Sequence, residues 1–438
     1  MGKIVWYPLS RPDEEKVHIV KASGVHLLDS RGKRYLDANS GLWNVPLGYD
    51  NPAIKEAIKN QVDEFCYVNP CEFKSDSSER LGDALKSILH PDIDKIAYTC
   101  SGSECLELMI KLIRKYASSG SDPKRNGIAV VRNSYHGSYY GSMSLSSYDG
   151  SERNGYGELL GGIYELSLPF TSECRQDFYL PEIEDEMKST LRKELEIFGD
   201  KLAGIILEPV LGSAGVIPLP GWFVKEIKEY SEKHDVLIGF DEVATGFGRS
   251  GTMFCYEQYD IRPDLISLSK GINNGALPLG AVAISKKITD RFRECDGMIF
   301  HLSTQNANAL SCAAAISVIE QLTENKGELL KQARDAGDLF EKALKESVVQ
   351  GYGQIFDIRR KGMMFAVELR DKGGKEILPF DKLYKLVFLI RRNGIITEWS
   401  YIDRVSSCLV MFLPFVVTTD DINELATGLN NSFRRMLA

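Results

Sequence analysis

The nine cysteines of this 438-residue chain stand singly, at 66, 71, 100, 105, 174, 255, 295, 312 and 408, with no CxxC pair among them. That scatter excludes a dense disulfide framework and points to reduced thiols, as in a cytoplasm. The six histidines, at 18, 26, 90, 136, 234 and 301, form no HExxH or HxH, so no metal site is expected. Long apolar runs are missing as well: no stretch reaches the roughly 18 residues that a membrane span needs. The start, "MGKIVWYPLSRPDEEKVHIV", is charged early and has no unbroken apolar region, so no signal peptide is expected. Met1-Gly2 opens a myristoylation motif, but Trp6 stands where that motif takes Ser or Thr. No lysine- or arginine-rich stripe appears, the net charge is -8 and the isoelectric point is near 5.5. A protein that tracks nucleic-acid phosphates is thereby excluded, and small molecules are the expected partners. There are no internal repeats, no low-complexity tracts and no GxSxG elbow, although the last leaves a Ser-His-Asp arrangement open.

What is present is enough apolar sequence, 43%, to bury a large core in two or three domains. Short β-branched runs, "IAYTC" (96–100), "GIAVV" (127–131), "AGIILE" (203–208), "DVLIGFDE" (235–242) and "DLISLS" (264–269), alternate with helical patterns such as "SECLELMIKLIRKYA" and "GWFVKEIKEYSEKH". This alternation predicts an α/β fold with a mostly parallel, doubly wound sheet. After the helical "ALSCAAAISVIEQL" from 309 comes a smaller α+β unit with strand character in "IFDIRRKGMMFAVEL". The expected division is an N-terminal segment, 1–50, that joins the smaller domain, a large domain over 51–320 and a C-terminal small domain over 321–438. Residues 151–200, rich in Gly, Ser and charge, read as an irregular surface excursion.

In an open parallel sheet, ligands bind beyond the carboxyl ends of the strands. Five strand-like runs end here at chemically capable residues: Ser101-Gly102-Ser103, Tyr135-His136-Gly137, Glu208, Asp241 and Lys270. A single charged residue after a strand is usually a solvated loop, but five at one sheet edge favour a shared site. "YTCSGSECLE" is a strand, a small-residue turn and a helix start, whose free N–H groups suit a phosphate; Ser101 with Glu104 reads equally well as a capping box. Lys270 lies between "LISLS" and the Gly-rich "GINNGALPLG" rather than in a solvated lysine-rich face. An amine that forms an imine with an aldehyde and a carboxylate that keeps a pyridine nitrogen protonated are the two groups pyridoxal phosphate requires.

These residues resemble a known set, the class III, fold-type I pyridoxal-phosphate aminotransferases, closest to the omega-amino-acid and amine transaminase branch. The resemblance spans nearly the whole chain, from "GVHLLDSRGKRYLDANSGLWNVPLGYDNPAIKEAI" through "YHGSYYG", and is densest in "AGIILEPVLGSAGVIPLPGWF", "GFDEVATGFGRSGTMF" and "PDLISLSKGINNGALPLGAV". It implies that Lys270 is the Schiff-base lysine and proton shuttle, and that Asp241 partners the pyridine nitrogen. Tyr135 and Val243 would pack on the two faces of the ring, with His136 beside them, and Ser101, Gly102 and Ser103 would hold the phosphate. Glu208 would order the site. Thr304, in "FHLSTQNANAL", matches the threonine that reaches the phosphate of a neighbouring subunit, so a homodimer with shared active sites is implied. "GLW" places Trp43 at the substrate entrance.

Two departures from the family pattern stand out. Ala244 occupies the position after "DEV" where many relatives have a glutamine that touches the cofactor. The stretch "YIDRVSSCLVMFLPFVVTTDDI" has Leu413-Pro414 in place of the double proline, and its nearest arginine, Arg404, lies beside the position an ungapped comparison expects. A long arginine there could swing in for an acidic substrate and out for an apolar one. The expected reaction is a ping-pong transfer of an amino group between a donor and a carbonyl acceptor. One substrate, such as the modified end of a peptide, would lack a carboxylate beside the reacting carbon, and Trp43 and Phe412 would favour it. Aminomutase, racemase or decarboxylase chemistry on the same anchors is the alternative. Residues 246–251, "GFGRSG", also fit the GxGxxG of nicotinamide enzymes, but only a short, Pro-terminated helix follows.

Overall fold

The computed structural model describes residues 4–120, 124–148, 153–170, 181–347, 352 and 354–437. Its centre is a seven-stranded sheet in the order Ile93–Thr99, Gly280–Ser285, Leu265–Leu268, Leu237–Asp241, Leu202–Leu207, Gly127–Val131 and Ile163–Leu166. Gly280–Ser285 pairs antiparallel with both of its neighbours, and the other strands run parallel to one another. Strands such as "LAGIIL" and "GAVAIS" are buried at every position, the pattern required when helices cover both faces of a sheet.

Local signals set the helix ends. Ser101 caps Gly102–Ser118 through its side chain, Asn51 caps Pro52–Glu64 with proline in the first turn, and Asn308 caps Ala309–Thr323. Gly221–His234 stops at Asp235, which takes a left-handed conformation.

The excursion expected over 151–200 needs correction. Residues 171–180 lie outside the described residues, but Ile163–Leu166 adds an edge strand to the large sheet and Pro181–Phe198 is a helix. The strand is only partly buried and carries Tyr164 and Glu165, so it lacks the unbroken apolar run that marks the central strands. The helix is amphipathic, and its buried Leu191 and Leu195 pack into the main core.

Besides a short two-stranded pairing of Val210–Leu211 with Ile217–Pro218, there are two four-stranded sheets. Ile19–Ser23, His26–Asp29 and Arg34–Asp37 form an antiparallel meander, and the last strand pairs in parallel with Ile395–Ile396 from the C-terminal part. Ile355–Lys361, Met364–Leu369, Ser406–Phe412 and Glu398–Ile402 form a fully antiparallel sheet in that order. Arg359 and Glu368 form a fully buried pair within it at 2.9 Å. Among the described residues, no helix is long and apolar enough to cross a membrane.

Candidate active site

All parallel strands of the large sheet point their carboxyl ends to one edge, and one cleft there is lined by Ser101, Gly102, Ser103, Tyr135, His136, Glu208, Asp241, Val243, Ala244, Lys270 and Trp43. The structure thus brings together eleven residues from six chain segments. Asp241 is the last residue of its strand and is 4% exposed. Its Oδ1 accepts from the Ser267 hydroxyl at 2.9 Å and from the Val243 N–H at 3.1 Å. Its Oδ2 lies 2.8 Å from His136 Nδ1. A carboxylate with this many donors is held in one orientation.

Glu208 follows strand Leu202–Leu207 and accepts from the Tyr135 N–H at 3.2 Å and the Gly212 N–H at 3.0 Å. Burial pushes its carboxyl up to about 7. Lys270 begins a short 3-10 turn with φ 43°, and its Nζ sits 4.5 Å from the centroid of the Trp43 ring. Burial lowers its amine to about 8, against the pull of Asp241 and Glu208. A neutral fraction of about one in ten is therefore present at pH 7, far more than for an ordinary lysine, and a nucleophile or proton carrier draws on it.

One end of the cleft is the start of helix Gly102–Ser118. Ser101 accepts from the Glu104 N–H at 3.2 Å, while the Glu104 carboxylate turns back to the Cys100 N–H at 2.8 Å. The Ser101 cap therefore exists, and the N–H groups of the first turn still point toward the cleft, as they do at any helix start. Close approach explains Gly102: a Cβ there would stand 2.8 Å from Val243 Cγ1. A Cβ on Gly137, whose φ is 125°, would stand 2.5 Å from Ser103 Oγ.

Three expected residues lie elsewhere. Phe412 is fully buried and stacks behind Trp43, with centroids 4.2 Å apart and planes 8° from parallel. Thr304 is exposed in the turn before helix Ala309–Thr323, beside Ser303, whose hydroxyl lies 3.4 Å from Cys100 Sγ. Arg404 sits in the turn between the last two strands of the C-terminal sheet, with its side chain 92% exposed and beside Asp403. "GFGRSG" is a run of turns, and only the 3-10 helix Cys255–Gln258 follows, far short of a dinucleotide-binding helix.

The sequence pattern did not single out Ser267, Asp37 or Arg249. Ser267 was the one with a signal, being the lone hydroxyl inside an otherwise apolar strand. No group of His, Cys, Asp and Glu able to hold a metal occurs among the described residues.

The donor set fits pyridoxal phosphate. Asp241 answers a protonated pyridine nitrogen, Lys270 an aldehyde carbon, and the helix start a phosphate. His136 Nδ1 is held on Asp241, while its buried Nε2 has no hydrogen-bond partner. Such a site at the carboxyl edge of this sheet defines a pyridoxal-phosphate-dependent transferase of fold-type I.

The model of the family "Aminotransferase class-III" matches residues 9–433. The chain is 30% identical over 443 residues to an adenosylmethionine-8-amino-7-oxononanoate aminotransferase of Geobacter sulfurreducens, covering 98% of this chain and 95% of that one. It is 30% identical to an omega-aminotransferase of Caulobacter vibrioides, covering 91% and 94%. An amine transaminase from an uncultivated Pseudomonas species, solved in its pyridoxal-phosphate-bound form, superimposes with a TM-score of 0.90 at 27% identity, covering 99% of each chain. The chain belongs to the class III aminotransferases, and its reaction is pyridoxal-phosphate-dependent transamination.

Proposed function

We propose that this enzyme works by ping-pong transamination, with one half-reaction on an amine or ketone that has no carboxylate beside the reacting carbon. A common amino acid, or its keto acid, would serve the other half. The observation that carries this reading is the apolar wall opposite Lys270: Trp43, stacked on Phe412, with Ala244 beside it and Arg404 held out in solvent. Stripping water from a carboxylate without a paired guanidinium is costly, whereas an apolar substituent is stabilised by the indole face. Similarity to proteins named omega-aminotransferase and amine transaminase supports the reading. The modified end of a peptide is one substrate of this kind.

Lys270 would hold the cofactor covalently, Asp241 would hold its ring nitrogen, Tyr135 and Val243 its faces, and Ser101, Gly102 and Ser103 its phosphate. When bound, the cofactor supplies an electron sink for the bonds at the amino-bearing carbon. Once released as a free amine, Lys270 is the base that removes the proton from that carbon and later returns one, and its lowered basicity suits both tasks. Glu208 stays beside these groups as a carboxyl able to exchange a proton near neutral pH, ordered by the Tyr135 and Gly212 N–H groups. Thr304 would complete the phosphate site of a second subunit in a homodimer. The cysteines among the described residues are all free, which fits a cytoplasmic protein.

The test compares wild type with Arg404→Ala on a carboxylate-free amine and on an α-amino acid, following each half-reaction. The amine half-reaction is expected to be unaffected. If both half-reactions run well only with α-carboxylates, and losing Arg404 slows both equally, the enzyme is an ordinary amino-acid transaminase.

A further inference from the structure

Four consecutive residues beside the cleft, Ser40, Gly41, Leu42 and Trp43, have positive φ of 47°, 55°, 65° and 67°. This is a turn of left-handed helix, and only Gly41 adopts it without a clash between Cβ and carbonyl oxygen. Such a conformation persists only where the surroundings over-determine it, and it clusters at functional sites. What it achieves here is the placement of the Trp43 indole over Lys270 Nζ.

Two buried charges hold the turn. The Asp37 carboxylate accepts from the Asn39 N–H at 2.8 Å and the Gly41 N–H at 2.6 Å, and also takes the Tyr49 hydroxyl. Arg249, 2% exposed, donates to Ser40 Oγ at 3.2 Å, to the Leu413 carbonyl at 2.7 Å and to the Trp43 carbonyl at 3.4 Å. Ser40 Oγ in turn donates to the Phe412 carbonyl at 2.5 Å. The guanidinium therefore ties the backbone of Trp43 to the strand end that carries Phe412, the ring on which the indole stacks. Its carbon centre lies 5.8 Å from the Phe412 ring and 5.2 Å from that of Phe415.

We propose that Arg249 is a specificity-positioning residue: by clamping the left-handed turn Ser40–Trp43, it fixes the indole that bounds the substrate space above Lys270. Arg249 is not among the residues that line the cleft, and three of its five N–H donors go to protein oxygens. A single ammonium cannot reproduce its planar fork across three oxygens, so lysine is not a conservative replacement. Burial lowers Arg249 to about 9 against the pull of Asp37, which leaves it a cation at neutral pH. This inference rests on the reading of Trp43 as a substrate wall.

The experiment measures kcat/KM of the holoenzyme for isopropylamine and for 1-phenylpropylamine in wild type, Arg249→Lys, Trp43→Ala and the double variant. The preference for the small amine should fall about tenfold in Arg249→Lys, whereas adding that change to Trp43→Ala should alter the preference by less than about twofold, because both act through one element. An equal change in both backgrounds, or an unchanged preference in a folded Arg249→Lys enzyme, overturns the proposal. Wild-type preference in Trp43→Ala removes the substrate wall itself, a failure visible without reference to Arg249. A second readout needs no turnover: acrylamide should quench tryptophan emission of the cofactor-free protein more strongly in Arg249→Lys, and the increase should vanish in a Trp43→Phe background. Should Arg249→Lys fail to fold, Ser40→Ala, which removes the hydroxyl between Arg249 and the Phe412 carbonyl, should shift preference and quenching in the same direction. No shift in that variant overturns the clamp.

Discussion

Replacing Glu242 with glutamine should stabilise the protein at neutral and alkaline pH. Glu242 follows Asp241 directly in the turn under the cleft and has no solvent exposure. One carboxylate oxygen accepts from the Thr245 hydroxyl at 2.5 Å and the other from the Tyr256 N–H at 2.7 Å. These contacts, which favour the anion, do not outweigh the loss of hydration, and burial raises the carboxyl from an ordinary 4.5 to about 7. A glutamine fits the same partners, with its carbonyl accepting from Tyr256 and its amide donating to a Thr245 hydroxyl that has turned around.

The direction of the pH effect follows from linkage. Below pH 4.5 the carboxyl is protonated whether the chain is folded or unfolded, so ionisation adds nothing. Between 4.5 and about 7 the folded chain holds the proton more tightly than the unfolded chain, and stability falls as the pH rises. At about 1.4 kcal/mol for each pH unit, the loss amounts to about 3 kcal/mol and is complete above pH 7. The glutamine variant does not titrate at this position. Its thermal and guanidinium midpoints, measured beside wild type from pH 4.5 to 8.5, should therefore draw ahead as the pH rises. Other buried carboxyls such as Glu208 titrate in both proteins and cancel in the difference. A difference that stays flat with pH, or shrinks toward alkaline pH, would refute the reasoning.

Lys270→Ala should fold and lose transamination, and borohydride reduction of wild type followed by peptide mapping should label Lys270 and no other lysine. Asp241→Asn keeps the partners Ser267 and Val243 but cannot stabilise a protonated ring nitrogen, so single-turnover rates should drop at least about 100-fold while cofactor is retained; near-normal turnover contradicts the role. Gly102→Ala places a Cβ 2.8 Å from Val243 Cγ1, and overpacking of about 1–3 kcal/mol should weaken pyridoxal phosphate binding by roughly 5- to 150-fold in a titration of the cofactor-free protein. An affinity within twofold of wild type would show that Val243 yields freely.

The chemistry of the cleft was legible because it depends on residue type at places the chain marks plainly. "GIAVV" is a strand over the residues expected, since a strand covered on both faces must be apolar throughout, and the first charged side chain after such a run falls at the sheet edge. Asp241 and Lys270 are positioned by that rule alone. Strand direction obeys no such rule: "GAVAIS" reads like its parallel neighbours yet runs against both, because the link from Lys270 is too short for a crossover helix. The edge strand Ile163–Leu166 escaped notice for the converse reason, as half-exposed positions tolerate Tyr164 and Glu165. The apolar wall beside Lys270 was the least legible part. Trp43 stood out as a residue, but its orientation is set by a backbone handedness that Ser40, Leu42 and Trp43 disfavour, imposed through Arg249, 209 positions beyond Ser40. Reading of local preference assigns each residue the conformation it favours, so it fails where distant contacts enforce the opposite one. In this protein that point lies beside Lys270, under the Trp43 ring, which separates the polar groups of the cleft, written in residue identity, from the shape of its wall, written in backbone handedness.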